Sequence, residues 1–471
     1  MHELLKHDLD TLPELLAQTR ATALQSLQGL DSQPVAVQPQ TPQAELERAA
    51  GGGAEAALRL FEQRWLPRLS ASAGPRYLGF VTGGATPASL MGDWLTSALD
   101  QNPTAGWDSE APELERQTVR ELGSWFGLSE AHEGAFVSGA TMSNFVGLAL
   151  AREWLGEQRG VRVSEAGAAA LGPVAVLSGA GHSSIHKALS MLGLGRNAVQ
   201  QVATLPGRDA IDPQALELAL QAQAGAPVIV VANAGTVNSG DFDALPALLA
   251  LRARYPFWLH IDAAFGAFAA LDERVADQVQ GLDGADSVCI DCHKWLNVPY
   301  DSALQFSRHR ALQLRVFQNS AAYLGEIGER PDFVHLTPEN SRRWRALPAW
   351  FAVQAYGRAG QAEIVRRNID CARLLGELLQ QDLTPGPDGG PAFELLAPVR
   401  LNIVCFAVAG CTDAASVQRF LERLRDSGEA FLTPTCFRGR WAVRAAFSNW
   451  RSEASDVRRV HAALLALVQS T

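Results

Sequence analysis

The stretch "SVCIDCHKWL", Ser287 to Leu296, begins as an apolar strand and ends in a cluster of chemistry-bearing side chains. The chain takes most of its positive charge from arginine, so a lysine in this position stands out. Three chemistries compete for the segment: a metal knuckle, a redox cysteine pair and a reactive amine. Cys289 and Cys292 have redox-motif spacing, but the pattern places them at the end of a strand rather than the start of a helix. Zinc would want a second such pair, whereas Cys371, Cys405, Cys411 and Cys436 are scattered singly. Lys294 follows directly on the buried strand end, beside Trp295 and Leu296, a setting suited to a nucleophilic amine.

Short apolar runs flank this strand on both sides. "VAVLS" (174–178), "PVIVVAN" (227–233), "FWLHID" (257–262) and "SALQF" (302–306) alternate with helical segments. Such runs are the mark of buried strands in a mostly parallel sheet with helices on both faces. From about residue 346, "ALPAWFAVQAYGRAGQAEIVRRNIDCARLLGELLQ" reads as one long helix. The later runs "PVRLNIVCFAV" and "WAVRAAFS", with the helix "DAASVQRFLERLRDSG", fit an antiparallel sheet covered on one side. The expected fold is therefore α/β, with a large domain over 71–345 and a smaller α+β domain over 346–471. Residues 1–70 read as a helical segment, interrupted by the Gln/Pro-rich connector "DSQPVAVQPQTPQAE".

A length of 471 residues, 47% hydrophobic and 19% charged, suits an ordinary globular enzyme. Forty basic against fifty acidic residues give a net charge of -10, which argues against nucleic acid or an anionic membrane as partner. The start "MHELLKHDLDTLPELLAQTR" is an amphipathic helix without the basic start and apolar run of a signal peptide. No apolar stretch approaches 18 residues, so no membrane span is expected. Six irregularly spaced cysteines make no disulfide framework, and a cytoplasmic location is expected.

Three further stretches carry chemistry. In "FVSGATMSNF", Phe136 to Phe145, a strand ends in small residues and a helix opens. That helix start is either a phosphate cradle or a plain capped turn. In "SGAGHSSIHKAL", Ser178 to Leu189, His182 is either a capping residue or one that leans into the crevice beyond the strand ends. In "WLHIDAAFGAF", Trp258 to Phe268, Asp262 falls at the buried end of a strand, where a carboxylate needs a partner. His260 shares its strand face, yet no third metal ligand follows at a suitable spacing, and no metal is expected. A buried aspartate about thirty residues before a strand-end lysine suits pyridoxal phosphate, with the lysine forming the Schiff base and the aspartate facing the ring nitrogen.

With "PRYLGFVTGGATPASL", "SEAPELERQTVRELG", "FVSGATMSNFVGLALAR", "GHSSIHKAL", "AGTVNSGDFDAL", "WLHIDAAFG", "DCHKWL" and "SRRWRALPAW" in this order, the chain resembles the group II pyridoxal-phosphate-dependent amino acid decarboxylases. These include the aromatic-amino-acid, histidine and glutamate enzymes. The resemblance implies the aspartate-aminotransferase-like fold type I, with pyridoxal 5'-phosphate as cofactor. It implies a small-molecule amino acid as substrate, and a homodimer whose N-terminal helices are swapped. Carried over, it makes Lys294 the Schiff-base lysine and Asp262 the partner of the pyridine nitrogen. His182 stacks on the ring and Ala264 packs on its other face. Ala140 and Thr141, joined by Asp291 and His293, bind the phosphate. Asparagine is frequent at the place of Asp291, and a carboxylate facing a phosphate is unfavourable, so that contact is expected through the backbone.

The same resemblance puts Thr236 near the ring hydroxyl or substrate, Thr82 near the substrate carboxylate and Phe80 in the substrate pocket. The aromatic decarboxylases carry a loop tyrosine that protonates the carbanion. Here the loop "GEIGERPDFVHLTPENSRR" has none, and counting back from Arg342 places Phe333 there. His335 is the nearest substitute donor, while Tyr323 precedes the loop. A member lacking the donor lets oxygen intercept the carbanion and yields an aldehyde. Decarboxylation to the amine is the primary expectation and aldehyde synthesis the alternative; a cofactor-binding protein without activity is a third. No arginine stands out for a distal carboxylate, and Phe80 leans toward an aromatic or apolar substrate.

Overall fold

The computed structural model describes residues 1–39, 51–319, 327–386 and 389–469. The chain opens with helices α1 (Glu3–Asp10), α2 (Leu12–Gln28) and α3 (Gly53–Arg64). The single N-terminal helix expected from the pattern is thus two. Thr11 closes the first, and Pro13 sits in the first turn of the second, where its missing N–H costs nothing. None of the residues in α1, α2 or α3 is buried.

Helices α4 (Pro87–Leu99) and α5 (Ala111–Trp125) precede β1 (Glu133–Val137) and α6 (Ala140–Gln158). The main sheet continues with β2 (Val176–Ser178), β3 (Val199–Gln201), β4 (Val228–Asn233), β5 (Phe257–Asp262), β6 (Ser287–Ile290) and β7 (Ala303–Ser307). Its seven strands run in the order β1-β7-β6-β5-β4-β2-β3. Strands β2 to β6 are parallel, and β7 lies antiparallel between β6 and β1. Every residue of β4 and β5 is buried, which is why both read as apolar runs, broken within β5 only by His260. Strand β3 gave no such signal because it is an edge strand with Gln200 and Gln201 exposed.

The helical segment Ala346–Gln381 is broken at Gly357, whose φ of 58° lies outside the helical region. Ala349, Val353 and Ile369 pack in the core of the large sheet, whereas Cys371, Leu375 and Leu379 pack in the C-terminal core. There β8 (Phe393–Leu395), β9 (Ile403–Val408), β10 (Thr433–Phe437) and β11 (Arg440–Ala446) form an antiparallel sheet in the order β10-β11-β9-β8. Among the described residues no helix is long and apolar enough to cross a membrane.

An ion pair ties α5 to the strand that leads into the crevice. Glu115 on α5 accepts from Arg342 Nη2 at 2.7 Å and from the Phe136 N–H at 3.1 Å, and both charged side chains are fully buried. Removing one partner leaves a lone buried charge. Arg342→Leu should therefore lower stability by about 3–5 kcal/mol, read from denaturant unfolding. A loss below about 1 kcal/mol would show that Glu115 finds other partners.

Candidate active site

Strands β1, β2, β4, β5 and β6 all end at the same edge of the sheet. In such sheets the crevice outside the carboxyl ends is where ligands bind. The residues that follow these strands enclose a cavity of about 370 Å³. Phe80, Ala140, Thr141, His182, Thr236, Asp262, Ala264, Asp291, His293 and Lys294, all expected at the site, line it together.

Asp262 closes β5 opposite Asn233 on β4 and Cys289 on β6. Its Oδ2 accepts from Asn144 Nδ2 at 2.9 Å and its Oδ1 from the Ala264 N–H at 3.2 Å. Lys294 lies in the one-turn helix Cys292–Trp295, with Nζ 3.9 Å from Asp291 Oδ2 and 5.7 Å from the centroid of Phe265. Trp295 Nε1 donates to Asn368 at 2.8 Å and fixes this turn from behind. Gly83 presses on it from the other side: a Cβ there would lie 1.8 Å from the Lys294 carbonyl oxygen, so only glycine permits the contact.

His182 caps the helix Ser183–Met191 and remains accessible from the cavity. Its Nδ1 accepts the Ser184 N–H at 3.2 Å. Partial burial holds its pKa below the usual histidine range, reinforced by the charges of Lys294 and Arg444 and opposed by Asp262. The Thr236 hydroxyl bonds to Ser239 and Asp209, so that residue meets the cavity with its hydroxyl already engaged. Phe80 stands at the cavity wall with 57% of its surface exposed and φ 59°, a strained region for a bulky residue.

Asp291 departs from the expected backbone contact. Its N–H is already given to the Ala264 carbonyl at 2.8 Å. Its carboxylate instead caps α6, with Oδ2 accepting the Ala140 N–H at 3.1 Å, while His293 Nε2 lies 3.1 Å from Oδ1. Burial raises the Asp291 pKa to about 7, against the pull of Lys294. The His293 pKa falls to about 3 through burial and the same lysine.

Three expected substrate residues do not line the cavity. Thr82 is buried, with its hydroxyl 3.3 Å from the Tyr300 hydroxyl. Phe333 is fully buried, its ring 4.6 Å from the Arg116 guanidinium carbon and 5.0 Å from that of Arg342. His335 is buried beside it and accepts the Asn319 N–H at 3.1 Å. These side chains are interior supports. Counting along a loop gave a spacing and not a path. Tyr323 lies outside the described residues.

The cysteines settle as packing. Cys292 opens a helical turn, contrary to expectation, but both Cys289 and Cys292 are buried and burial pushes their thiols up. Among the described residues no group of His, Cys, Asp or Glu could hold a metal ion.

The sequence reading missed Arg444. It lies on β11 with 8% exposure and lines the cavity. Nη1 donates to the Val237 carbonyl at 3.2 Å and Nη2 to Thr433 Oγ1 at 3.3 Å, while Nε has no partner. No carboxylate within ion-pair distance appears among the described residues, so a buried cation faces the cavity without a counter-charge. A lone arginine inside the apolar run "WAVRAAFS" was the available signal.

These residues fit pyridoxal phosphate: a carboxylate for the ring nitrogen, an amine at bonding reach of the cavity, His182 and Ala264 for the ring faces and a helix start for the phosphate.

Residues 53–409 match the pyridoxal-dependent decarboxylase conserved domain. An aromatic-L-amino-acid decarboxylase of Bacillus atrophaeus is 28% identical over 414 residues, spanning 84% of this chain and 81% of that protein. A 3,4-dihydroxyphenylacetaldehyde synthase of Drosophila melanogaster is 31% identical over 235 residues, 49% of this chain and 44% of that one. The crystal structure of Oryza sativa TDC with PLP and tryptamine superposes with a TM-score of 0.88 over 98% of both chains, at 24% identity, a likeness of fold.

The Asp291 geometry yields a measurable outcome. Above its pKa of about 7 the carboxylate is ionised and opposes an anion at the α6 start; below it, the proton removes that opposition. Asp291→Asn should tighten pyridoxal phosphate binding to the cofactor-free chain about tenfold at pH 8 and little at pH 6. Equal ratios at both pH values, by absorbance titration, would assign the titration elsewhere.

Proposed function

Because the chain belongs to the pyridoxal-dependent decarboxylase family and is a pyridoxal-phosphate-dependent carboxy-lyase, we propose that it decarboxylates an L-amino acid with an aromatic side chain, carrying the cofactor on Lys294. The observation that carries this reading is the meeting of the Asp262 carboxylate and the Lys294 amine in one cavity at the strand ends.

When bound, the cofactor supplies the electron sink for the bond to the departing carboxylate. Asp262 keeps a proton on the ring nitrogen, which that sink requires. His182 and Ala264 hold the ring between them, and the α6 start takes the phosphate. Arg444 receives the substrate carboxylate, since an unpaired buried guanidinium is best satisfied by a bidentate anion. The cavity wall then orients that group for departure. Phe80 offers an aromatic face for the substrate side chain, in keeping with the named activity of the Bacillus relative.

A second copy of the chain is the natural cover for the N-terminal helices. Leu5, Leu16 and Trp65 there expose 63%, 61% and 50% of their surface, apolar groups that a partner surface would cover.

A second reading, oxygen-dependent conversion to an aldehyde with ammonia and peroxide, is favoured by the Drosophila relative and by the lack of a tyrosine in residues 325–343. With His335 buried away from the cavity, the proton donor that the amine reading requires is unassigned.

Screening the purified protein against amino acids with paired CO2 and oxygen measurements separates the two: the amine reading expects CO2 without oxygen uptake, and the aldehyde reading expects both. Lys294→Ala should abolish CO2 release, and turnover surviving in that variant would overturn the assignment. Arg444→Leu should raise KM about tenfold or more, as expected when a charged hydrogen-bond partner is lost. An unchanged KM would remove Arg444 from substrate binding.

A further inference from the structure

Behind Asp262 lies a row of buried polar groups that the reading above does not use. Asn144, on the second turn of α6, is fully buried, as are His260 and Ser287; Ser184 is nearly so. Asn144 Nδ2 stands 2.9 Å from Asp262 Oδ2 and 3.0 Å from Ser184 Oγ. Asn144 Oδ1 stands 2.9 Å from His260 Nε2. His260 Nδ1 lies 2.8 Å from Ser287 Oγ, which also receives the Trp258 indole N–H at 3.0 Å.

Donor and acceptor counting assigns every proton in this row. The Asp262 carboxylate only accepts, so Asn144 turns its amide N–H to Asp262 and its Oδ1 to His260 Nε2. Nε2 then carries the ring proton, and Nδ1 accepts the Ser287 hydroxyl proton. Burial drives the His260 pKa down to about 4, so the ring stays neutral with this tautomer. With its oxygen engaged, Asn144 has two N–H bonds left. One goes to Asp262 and the other to Ser184, whose hydroxyl is free to turn to His182 Nδ1 at 2.8 Å. The reversed amide would set an oxygen against the Asp262 carboxylate and leave its N–H facing the His260 Nε2–H, two donors against each other. Gly147 makes the arrangement possible, because a Cβ there would lie 2.6 Å from His260 Nδ1.

We infer that Asn144 is a positioning residue, locked by neutral His260 so that it aims one N–H at Asp262 and one at the serine behind His182. It therefore prepares both cofactor-facing groups from one amide. The Asp262 carboxylate reaches the cavity with its orientation set from behind. The Ser184 hydroxyl supports the His182 tautomer that the Ser184 N–H already selects, with Nδ1 accepting and Nε2 left to donate. The inference rests on the decarboxylase reading for its consequence, and on the hydrogen-bond row alone for its geometry.

Affinity for pyridoxal phosphate tests it with two variants. Asn144→Asp keeps the shape and puts an acceptor against Asp262, so binding should weaken about a hundredfold; Asn144→Leu loses the donor without adding repulsion and should weaken it about tenfold. A role in packing alone gives the opposite order, because aspartate matches asparagine in volume and leucine does not. That reversed order, or no change in either variant, would overturn the inference. If neither variant folds, nitrogen NMR of 15N-histidine-labelled parent protein decides instead: His260 should show a protonated Nε2 and a bare Nδ1. The other tautomer would turn the Asn144 amide round and sink the proposal. A parent chain that binds no pyridoxal phosphate would instead refute the decarboxylase reading, while the His260 measurement would stand on the cofactor-free protein.

Discussion

Asp262 sits at the carboxyl end of a central strand with 7% of its surface exposed, and a carboxylate withdrawn from water so far is costly unless donors meet it. Two do: the Asn144 amide and the Ala264 N–H. The first requires α6 to lie close against β5, and the second requires the chain to turn sharply as β5 ends. Around this point β4 brings Asn233 alongside and β6 brings Cys289, so that the segment after β6 delivers Lys294 into the same crevice. The sheet order thus serves one electrostatic demand, a buried negative group kept available to a ligand.

The surroundings repeat the theme with charges left incompletely answered. Among the described residues Arg444 has neutral oxygen partners and no carboxylate, and Asp291 shares a pocket with a lysine that approaches only to 3.9 Å. A protein optimised for stability alone would pair or remove such groups. Here each faces the cavity, where a carboxylate or phosphate of a bound molecule would alter its balance. Arg342 and Glu115, by contrast, meet at 2.7 Å with both side chains buried.

Much of this was legible because strand ends announce themselves. A polar residue at the end of an apolar run is costly to bury, and Asp262 and Lys294 drew notice that way. His182, by contrast, was open as a cap or a crevice residue and turns out to cap its helix while lining the cavity. Reading failed where that signal was missing. Phe333 and His335 were placed by counting through a loop, which has no period to fix its path, and they turned out to be interior residues under Arg116 and Arg342. Thr82 turned its hydroxyl toward Tyr300, a contact between segments 218 residues apart. Arg444 and Asn144 were passed over for the opposite reason. Each sits in an ordinary-looking strand or helix, and its meaning lies in what it touches.

The order of apolar runs and the residues that close them determined the α/β architecture, the cofactor class and the lysine–aspartate pair, because periodicity and burial cost are properties of neighbouring residues. Which hydroxyls, amides and guanidiniums face the cavity was decided only when distant segments packed. Asn144 and His260 are 116 residues apart, and the β11 strand that carries Arg444 belongs to the other sheet. Hydrogen bonds have direction, and direction is set by the tertiary contact rather than by the local pattern. The cysteines of Ser287–Leu296 show the same division: spacing made them candidates, and burial made them packing.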